Sequence, residues 1–175
     1  MLYHTPFISL VERAHAALLE LDRPDRILAD TNASFERMVR PSLGLSMEMG
    51  NVYSGSLYAA LASLLDTAAP VARGTRVGMF SYGSGACSEM FSGLVAADAT
   101  TVVRKHRIRE HICARRPVTT AEYDASALEV ERGMTWAEFR PDRNVIPGHF
   151  DEAYLGLDRL VLTDVANHYR SYAWS

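Results

Sequence analysis

His4 is the first residue in this chain whose type and setting call for chemistry. It stands in MLYHTPF, at the end of an apolar run and two residues before Pro6. A histidine between a strand end and a helix N-terminus sits near the positive end of a helix dipole, which favours the neutral imidazole. Such a ring can polarise a carbonyl oxygen and handle a proton. The competing reading is a hydrogen-bonded histidine of the core. Asn51 follows Gly50, where it is placed to cap a helix. Ser84 lies between Gly83 and Gly85 in a turn that brings backbone close to whatever faces it. Cys87 follows that turn. It reads as a nucleophile or as a small buried thiol, and the usual burial of free cysteine favours the second.

Several common motifs fail at these positions. A dinucleotide fingerprint would need glycine at Ser88. A hydrolase elbow would need glycine at Tyr82. Cys87 and Cys113 have no metal-ligand spacing and form no disulfide framework, so a reducing cytoplasm is the default. His106 and His111 lie in RKHRIREHICARR, whose positive charge would repel a cation. That segment is either a solvated helix face or a contact for an anionic partner, such as CoA phosphates or an acidic carrier protein. Lys105 is the single lysine among 18 basic residues, which we read as genomic base composition. A net charge of −3 speaks against a general nucleic-acid binder. No secretory signal pattern is visible. The charge-free run Met49 to Leu65 is too short and too polar for a membrane span and reads as a buried helix.

The elements that must position these residues follow from periodicity. With 175 residues, 48% of them hydrophobic, the chain can build a core. Phe7 to Leu21 predicts a helix with an apolar stripe of Leu10, Ala14, Ala17, Leu18 and Leu21, ended by Arg23-Pro24-Asp25. Thr31 to Val39 predicts a second helix, stopped at Pro41, with Phe35 and Met38 facing inward. Asn51 to Leu65 is apolar or small on nearly every side, the mark of a helix in the middle of a layered structure. Arg76 to Tyr82 and Glu89 to Ala96 predict a hairpin around the glycine-rich turn. Val103 to Ala114 and Val118 to Arg132 predict helices, Pro141 to Phe150 a loop, and Leu155 to Thr163 a late strand. Strands mixed with helices of this kind argue for α/β layers.

Three segments in order carry a resemblance: YHTPF with the helix after it, GNVYSGSLYAALASLL, and VGMFSYGSGACSEMFSG. Together they resemble the C-terminal half of the 3-hydroxy-3-methylglutaryl (HMG) synthase family, most clearly from Tyr3 to Gly93. The resemblance implies a thiolase-like α/β fold with a buried central helix, a homodimer, and a condensing acyltransferase. In that family an acetylated cysteine carries the donor and a glutamate removes a methyl proton. The carbanion equivalent attacks the β-carbonyl of a second acyl thioester, and water releases the product. The H-x-P-F histidine falls on His4, which would hold the acceptor's carbonyl oxygen and help handle the proton. The family's asparagine falls on Asn51, as an amide donor to a substrate carbonyl, and the serine of its G-S-G turn falls on Ser84, beside the acyl chain.

The departures matter as much. CoA-dependent members place a lysine two residues after the P-F pair, and here that position is Ser9. A lysine there would serve CoA phosphates as a point charge. Its replacement points to the branch that installs β-methyl groups on polyketides, where acyl groups ride on the phosphopantetheine of an acyl carrier protein. No permanently bound cofactor is implied. Primary-metabolic HMG-CoA synthase and a non-catalytic module of the same fold stay open as alternatives. Neither Cys87 nor Cys113 sits in the nucleophile's context. Residues 1–175 are therefore expected to be the C-terminal portion of such an enzyme, with cysteine and glutamate supplied by another segment or chain.

Overall fold

The computed structural model describes residues 1–22, 28–66 and 71–175; the side chains of Leu28, Ala29 and Ser84 also fall outside that description. The expected helix end at Arg23-Pro24-Asp25 lies outside the described residues. The chain parts into two compact units, Met1–Arg115 and Arg116–Ser175. The first runs β1 (Leu2–Tyr3), α1 (Ile8–Asp22), α2 (Leu28–Met38), a tight turn at Arg40–Ser42, α3 (Gly44–Met49), α4 (Gly55–Leu65), β2 (Arg76–Gly83), β3 (Cys87–Leu94), α5 (Ala99–Lys105) and α6 (Ile108–Cys113). The second holds α7 (Thr120–Thr135), α8 (His149–Ala153), β4 (Leu160–Ala166) and β5 (Tyr169–Trp174).

The sheet of the first unit has the order β1-β2-β3. β1 pairs parallel to β2, Leu2 opposite Met79 and Tyr3 opposite Phe80. β2 and β3 pair antiparallel from Arg76–Leu94 to Gly83–Cys87, which is the expected hairpin. Successive strand residues face opposite sides of a sheet, and two neighbouring residues of β1 accordingly enter two different cores. Leu2 packs with Leu57, Ala60 and Leu65 of α4, Val77 and Met79 of β2, and Val95. Tyr3 packs with Val11 of α1, Phe35 of α2, Val39 and Leu43. The sheet thus has α4 on one face and α1 with α2 on the other, the layered α/β arrangement that the residue pattern predicts.

α4 packs on the sheet through Leu57, Ala60 and Leu65 and carries small buried residues beside them. Ser56, Ala60 and Ser63 are fully buried. The buried Ser63 hydroxyl accepts from the Leu45 N–H at 3.3 Å and donates to the Pro41 carbonyl at 3.4 Å. A hydroxyl satisfied on both sides can be buried at little cost. Tyr58 points away, 63% exposed, so the helix has an open side despite its uniformly apolar sequence.

Several expectations are corrected. The buried face of α1 is Val11 and His15, while Leu10, Leu18 and Leu21 are exposed. Counting apolar residues assigns a histidine to the wet side, but His15 is bonded at both ring nitrogens. Its Nε2 lies 3.1 Å from Ser34 Oγ and its Nδ1 2.9 Å from the Tyr3 hydroxyl. The Ser34 hydroxyl donates to Met38 Sδ at 3.6 Å. Ser34 Oγ is therefore the acceptor for Nε2–H, and Nδ1 accepts from Tyr3. Phe35 is buried as expected, but Met38 is exposed, with its sulfur turned to that serine.

The helix expected from Asn51 begins only at Gly55, and α3 precedes it as a separate helix. Gly50 (φ 75°) and Tyr53 (φ 52°) are left-handed, and such residues interrupt a right-handed helix. Left-handed Arg107 (φ 48°) likewise divides the expected helix over Val103 to Ala114 into α5 and α6. The late strand starts at Leu160 and pairs with β5, which periodicity missed. Asn167 and His168 both have positive φ, which fits the two-residue hairpin turn joining them. Cys87 is exposed, contrary to its expected burial: it opens β3, an edge strand exposed along its whole length.

Burial pushes the Tyr3 phenol from the usual 10 up to about 12. A raised pKa stabilises the fold while the group is neutral in both states, and that contribution is lost as pH rises through the folded value. Stability should therefore fall between about pH 10 and 12, by roughly 1.4 kcal/mol per pH unit. In a spectrophotometric titration of the eight tyrosines, Tyr3→Phe should remove the latest step. An unchanged titration would show that Tyr3 is not held in this way.

Candidate functional site

The site is assembled where β1 ends. The parallel ladder continues one residue past the strand, as the His4 N–H donates to the Phe80 carbonyl at 2.8 Å. The Thr5 N–H then turns to α4 and donates to Ser56 Oγ at 2.9 Å. The Thr5 hydroxyl donates back to the Tyr3 carbonyl at 2.8 Å. Ser56 Oγ also lies 3.2 Å from His4 Nδ1. Ser56 and Thr5 are buried, while the His4 ring is partly accessible. The imidazole is thus anchored at Nδ1 from below, and its Nε2 has no partner among the described residues.

His4 lies at the carboxyl end of a strand parallel to β2. Open α/β sheets bind ligands beyond the carboxyl ends of their strands. β2 runs on past Phe80 in the same direction and ends in the turn Ser84–Ala86, with Gly85 left-handed at φ 74°. The backbone of Ser84 therefore lies about 13 Å further along the strand direction, four residues at the usual rise. Its side chain is outside the described residues. A hollow of about 450 Å³ opens at this hairpin tip, lined by Ser81, Gly83, Cys87, Ser88 and Glu89.

Asn51 is not the cap of α4, which corrects the expectation. Ser54 holds that place, directly before Gly55, and makes no side-chain cap. Asn51 Oδ1 instead accepts from the Tyr53 N–H at 2.8 Å, closing a local turn. That orientation leaves the exposed Asn51 amide nitrogen as the outward group, a donor. The turn leads directly into the helix whose first turn carries Ser56.

The basic segment is exposed, and much of it is engaged. Arg107 pairs with Glu110, Arg109 with Asp66 at 3.0 Å, and Arg116 with Glu152 at 3.2 Å. Arg115 donates to the Glu48 carbonyl at 2.8 Å. Lys105 makes no ion pair among the described residues. Ser9, the position that the resemblance gives to a lysine in CoA-dependent members, is exposed in the first turn of α1. Among the described residues no group of three His, Cys, Asp or Glu could hold a metal, and no helix is long and apolar enough to cross a membrane. In the second unit a cavity of about 490 Å³ is lined by residues that include Phe139, Arg143, Phe150 and Tyr172. Reading the sequence missed Ser56 and Thr5. Ser56 is 52 residues from His4, and nothing in a serine-rich helix start marks which serine turns inward.

Ser56→Ala should leave the Thr5 N–H buried without a partner. Chemical denaturation should show a loss of about 1–3 kcal/mol. A loss below a few tenths would mean that another acceptor takes its place.

Three comparisons bear on this arrangement. Residues 22–174 match the family model for the hydroxymethylglutaryl-coenzyme A synthase C terminal. The chain is 29% identical to the polyketide biosynthesis 3-hydroxy-3-methylglutaryl-ACP synthase PksG of Bacillus subtilis, over 98% of this chain and 40% of that protein. Among solved structures it superposes on the HMG synthase of the curacin biosynthetic pathway in complex with acetyl donor-ACP. That match has a TM-score of 0.87 and 30% identity, and covers 99% of this chain and 42% of the other. It also superposes on MvaS in complex with 3-hydroxy-3-methylglutaryl coenzyme A. There the TM-score is 0.71 and the identity 33%, with 99% of this chain and 40% of the other covered. The chain therefore spans about two-fifths of the length of these relatives. The family match, the thiolase-like fold of these neighbours and a histidine presented at a strand end agree: this chain belongs to the hydroxymethylglutaryl-CoA synthase family, to its C-terminal part.

Proposed function

We propose that this chain is the acceptor-side part of an HMG-type condensing enzyme. The acetyl group rides as a thioester on a cysteine outside residues 1–175, and a glutamate there removes a methyl proton. The carbon left with the electron pair attacks the β-carbonyl carbon of a β-ketoacyl thioester, and the carbonyl π pair moves to oxygen. Water then cleaves the enzyme thioester. His4 holds and polarises that β-carbonyl oxygen. The observation that carries this reading is the anchored Nδ1 and open Nε2 of His4 at the strand end. Asn51 offers an amide N–H to a thioester carbonyl, and Ser84 lies in the turn beside the acyl chain.

The acceptor is proposed to be carried on the phosphopantetheine of an acyl carrier protein. Two things support this branch: the relatives named as ACP synthases and ACP complexes, and an exposed Ser9 in place of a phosphate-binding lysine. The second reading, a CoA-dependent synthase, is favoured by the 33% identity to MvaS, the highest of the three relatives compared. Turnover of acetoacetyl-CoA as fast as the carrier-bound acceptor would select it.

Residues 1–175 alone should show no synthase turnover. Reunited with a cysteine-bearing partner polypeptide, His4→Ala should leave acetyl-cysteine formation, read by mass spectrometry, near the wild-type rate. Condensation should fall by about two orders of magnitude. Equal loss of both steps would remove His4 from the acceptor side.

Lys105→Glu should raise the KM for a carrier-bound acceptor a few-fold and weaken its salt dependence, while leaving the KM for a free pantetheine thioester unchanged. An equal effect on both acceptors would place the carrier elsewhere.

A further inference from the structure

The bonds around Ser56 determine which tautomer of His4 the fold can hold. A serine hydroxyl has one proton to give and two lone pairs to accept with. One lone pair of Ser56 takes the Thr5 N–H at 2.9 Å. His4 Nδ1, at 3.2 Å, is the other partner recorded for Ser56 Oγ. With the proton on Nδ1, the ring and Thr5 would both donate to Oγ, and the Ser56 hydroxyl proton would be left without an acceptor at a fully buried position. Buried donors are seldom left so. With Nδ1 bare, the Ser56 hydroxyl donates to it and every group is satisfied.

We infer that Ser56 is a positioning residue that fixes His4 as the neutral Nε2–H tautomer, so that His4 acts as a hydrogen-bond donor to the acceptor's carbonyl oxygen and not as a net source of protons. This rests on the acceptor-side reading of His4. A neutral ring that gave up its Nε2 proton would become an imidazolate, which Ser56 is too weak an acid to prevent. The Nε2–H bond therefore strengthens as negative charge gathers on the oxygen and is retained. The proton balance closes elsewhere. The new C–C bond forms as the methyl C–H bond breaks, and the base holds that proton. The alkoxide later takes it from the resulting carboxylic acid, directly or through solvent.

Histidine-selective nitrogen NMR on the full chain tests this without turnover, the His4 signals being assigned by their loss in His4→Ala. Wild-type His4 should show a bare Nδ1 and a protonated Nε2. Ser56→Ala should let the proton distribute between both nitrogens, and Ser56→Thr should restore the single tautomer. With the cysteine-bearing partner present, Ser56→Ala should lower the kcat of condensation about tenfold. The acceptor KM and the rate of cysteine acetylation should change far less, and Ser56→Thr should recover kcat. A protonated Nδ1 in the wild type would overturn the inference, even if Ser56→Ala fails to fold. So would a Ser56→Ala protein with wild-type tautomer and kcat. Full condensation by His4→Ala would instead overturn the acceptor-side reading, while the tautomer result would stand.

Discussion

A two-residue strand holds this structure to its purpose. β1 contributes Leu2 and Tyr3, and each is buried in a different core. The parallel pairing to β2 fixes which of them faces α4 and which faces α1 and α2. A register slip of one residue would exchange the two faces, putting a phenol against the small residues of α4 and a leucine opposite His15. The same pairing runs on through the His4 N–H to Phe80, so the register that separates the cores also sets the height of the imidazole. Core packing and site geometry are one constraint here.

Polar groups make that constraint specific. The core between the sheet and α1 holds a directed run of hydrogen bonds from Tyr3 through His15 and Ser34 to Met38. The other side of β1 holds Thr5 and Ser56, bonded to each other. Apolar packing tolerates small slides, but a buried donor without its acceptor is costly. Both networks include residues of β1 or of the two positions after it, and both penalise displacement of the strand. This is how so short a ladder can define a position for His4.

The elements that could be read in the sequence are those whose signals are local. The α1 and α2 segments, the hairpin around Gly83-Ser84-Gly85 and the alignment of His4 with a strand end all came from short patterns. What could not be read depends on partners distant in the chain. His15 looks like a solvent-facing residue until Tyr3 and Ser34 are placed beside it. Ser56 is indistinguishable from Ser54 until β1 arrives. The expected cap at Asn51 failed for a related reason: the left-handed residues at Gly50 and Tyr53 are tolerated at a turn, and periodicity carries no sign of φ. The edge strand β3 explains the misreading of Cys87, since burial statistics for cysteine do not know which strand lies at an edge.

The basic segment and Ser9 bear on the thioester proposed for this chain. CoA presents several phosphates near the mouth of a pocket, and matching them takes point charges on flexible stems. Here the chain has one lysine, and Ser9 stands where the resemblance implies another in CoA-dependent members. Four of the arginines in the basic segment are already bonded to carboxylates or carbonyls of the chain itself. Moving them to a ligand would exchange one partner for another and gain little. A carrier protein asks for less, because it brings a single phosphodiester and spreads its negative charge over a helix surface. Paired arginines still contribute a field at that range, and steering needs the field without requiring a bond. The charge arrangement therefore supports the proposed carrier-borne acceptor over one that must be gripped by its phosphates.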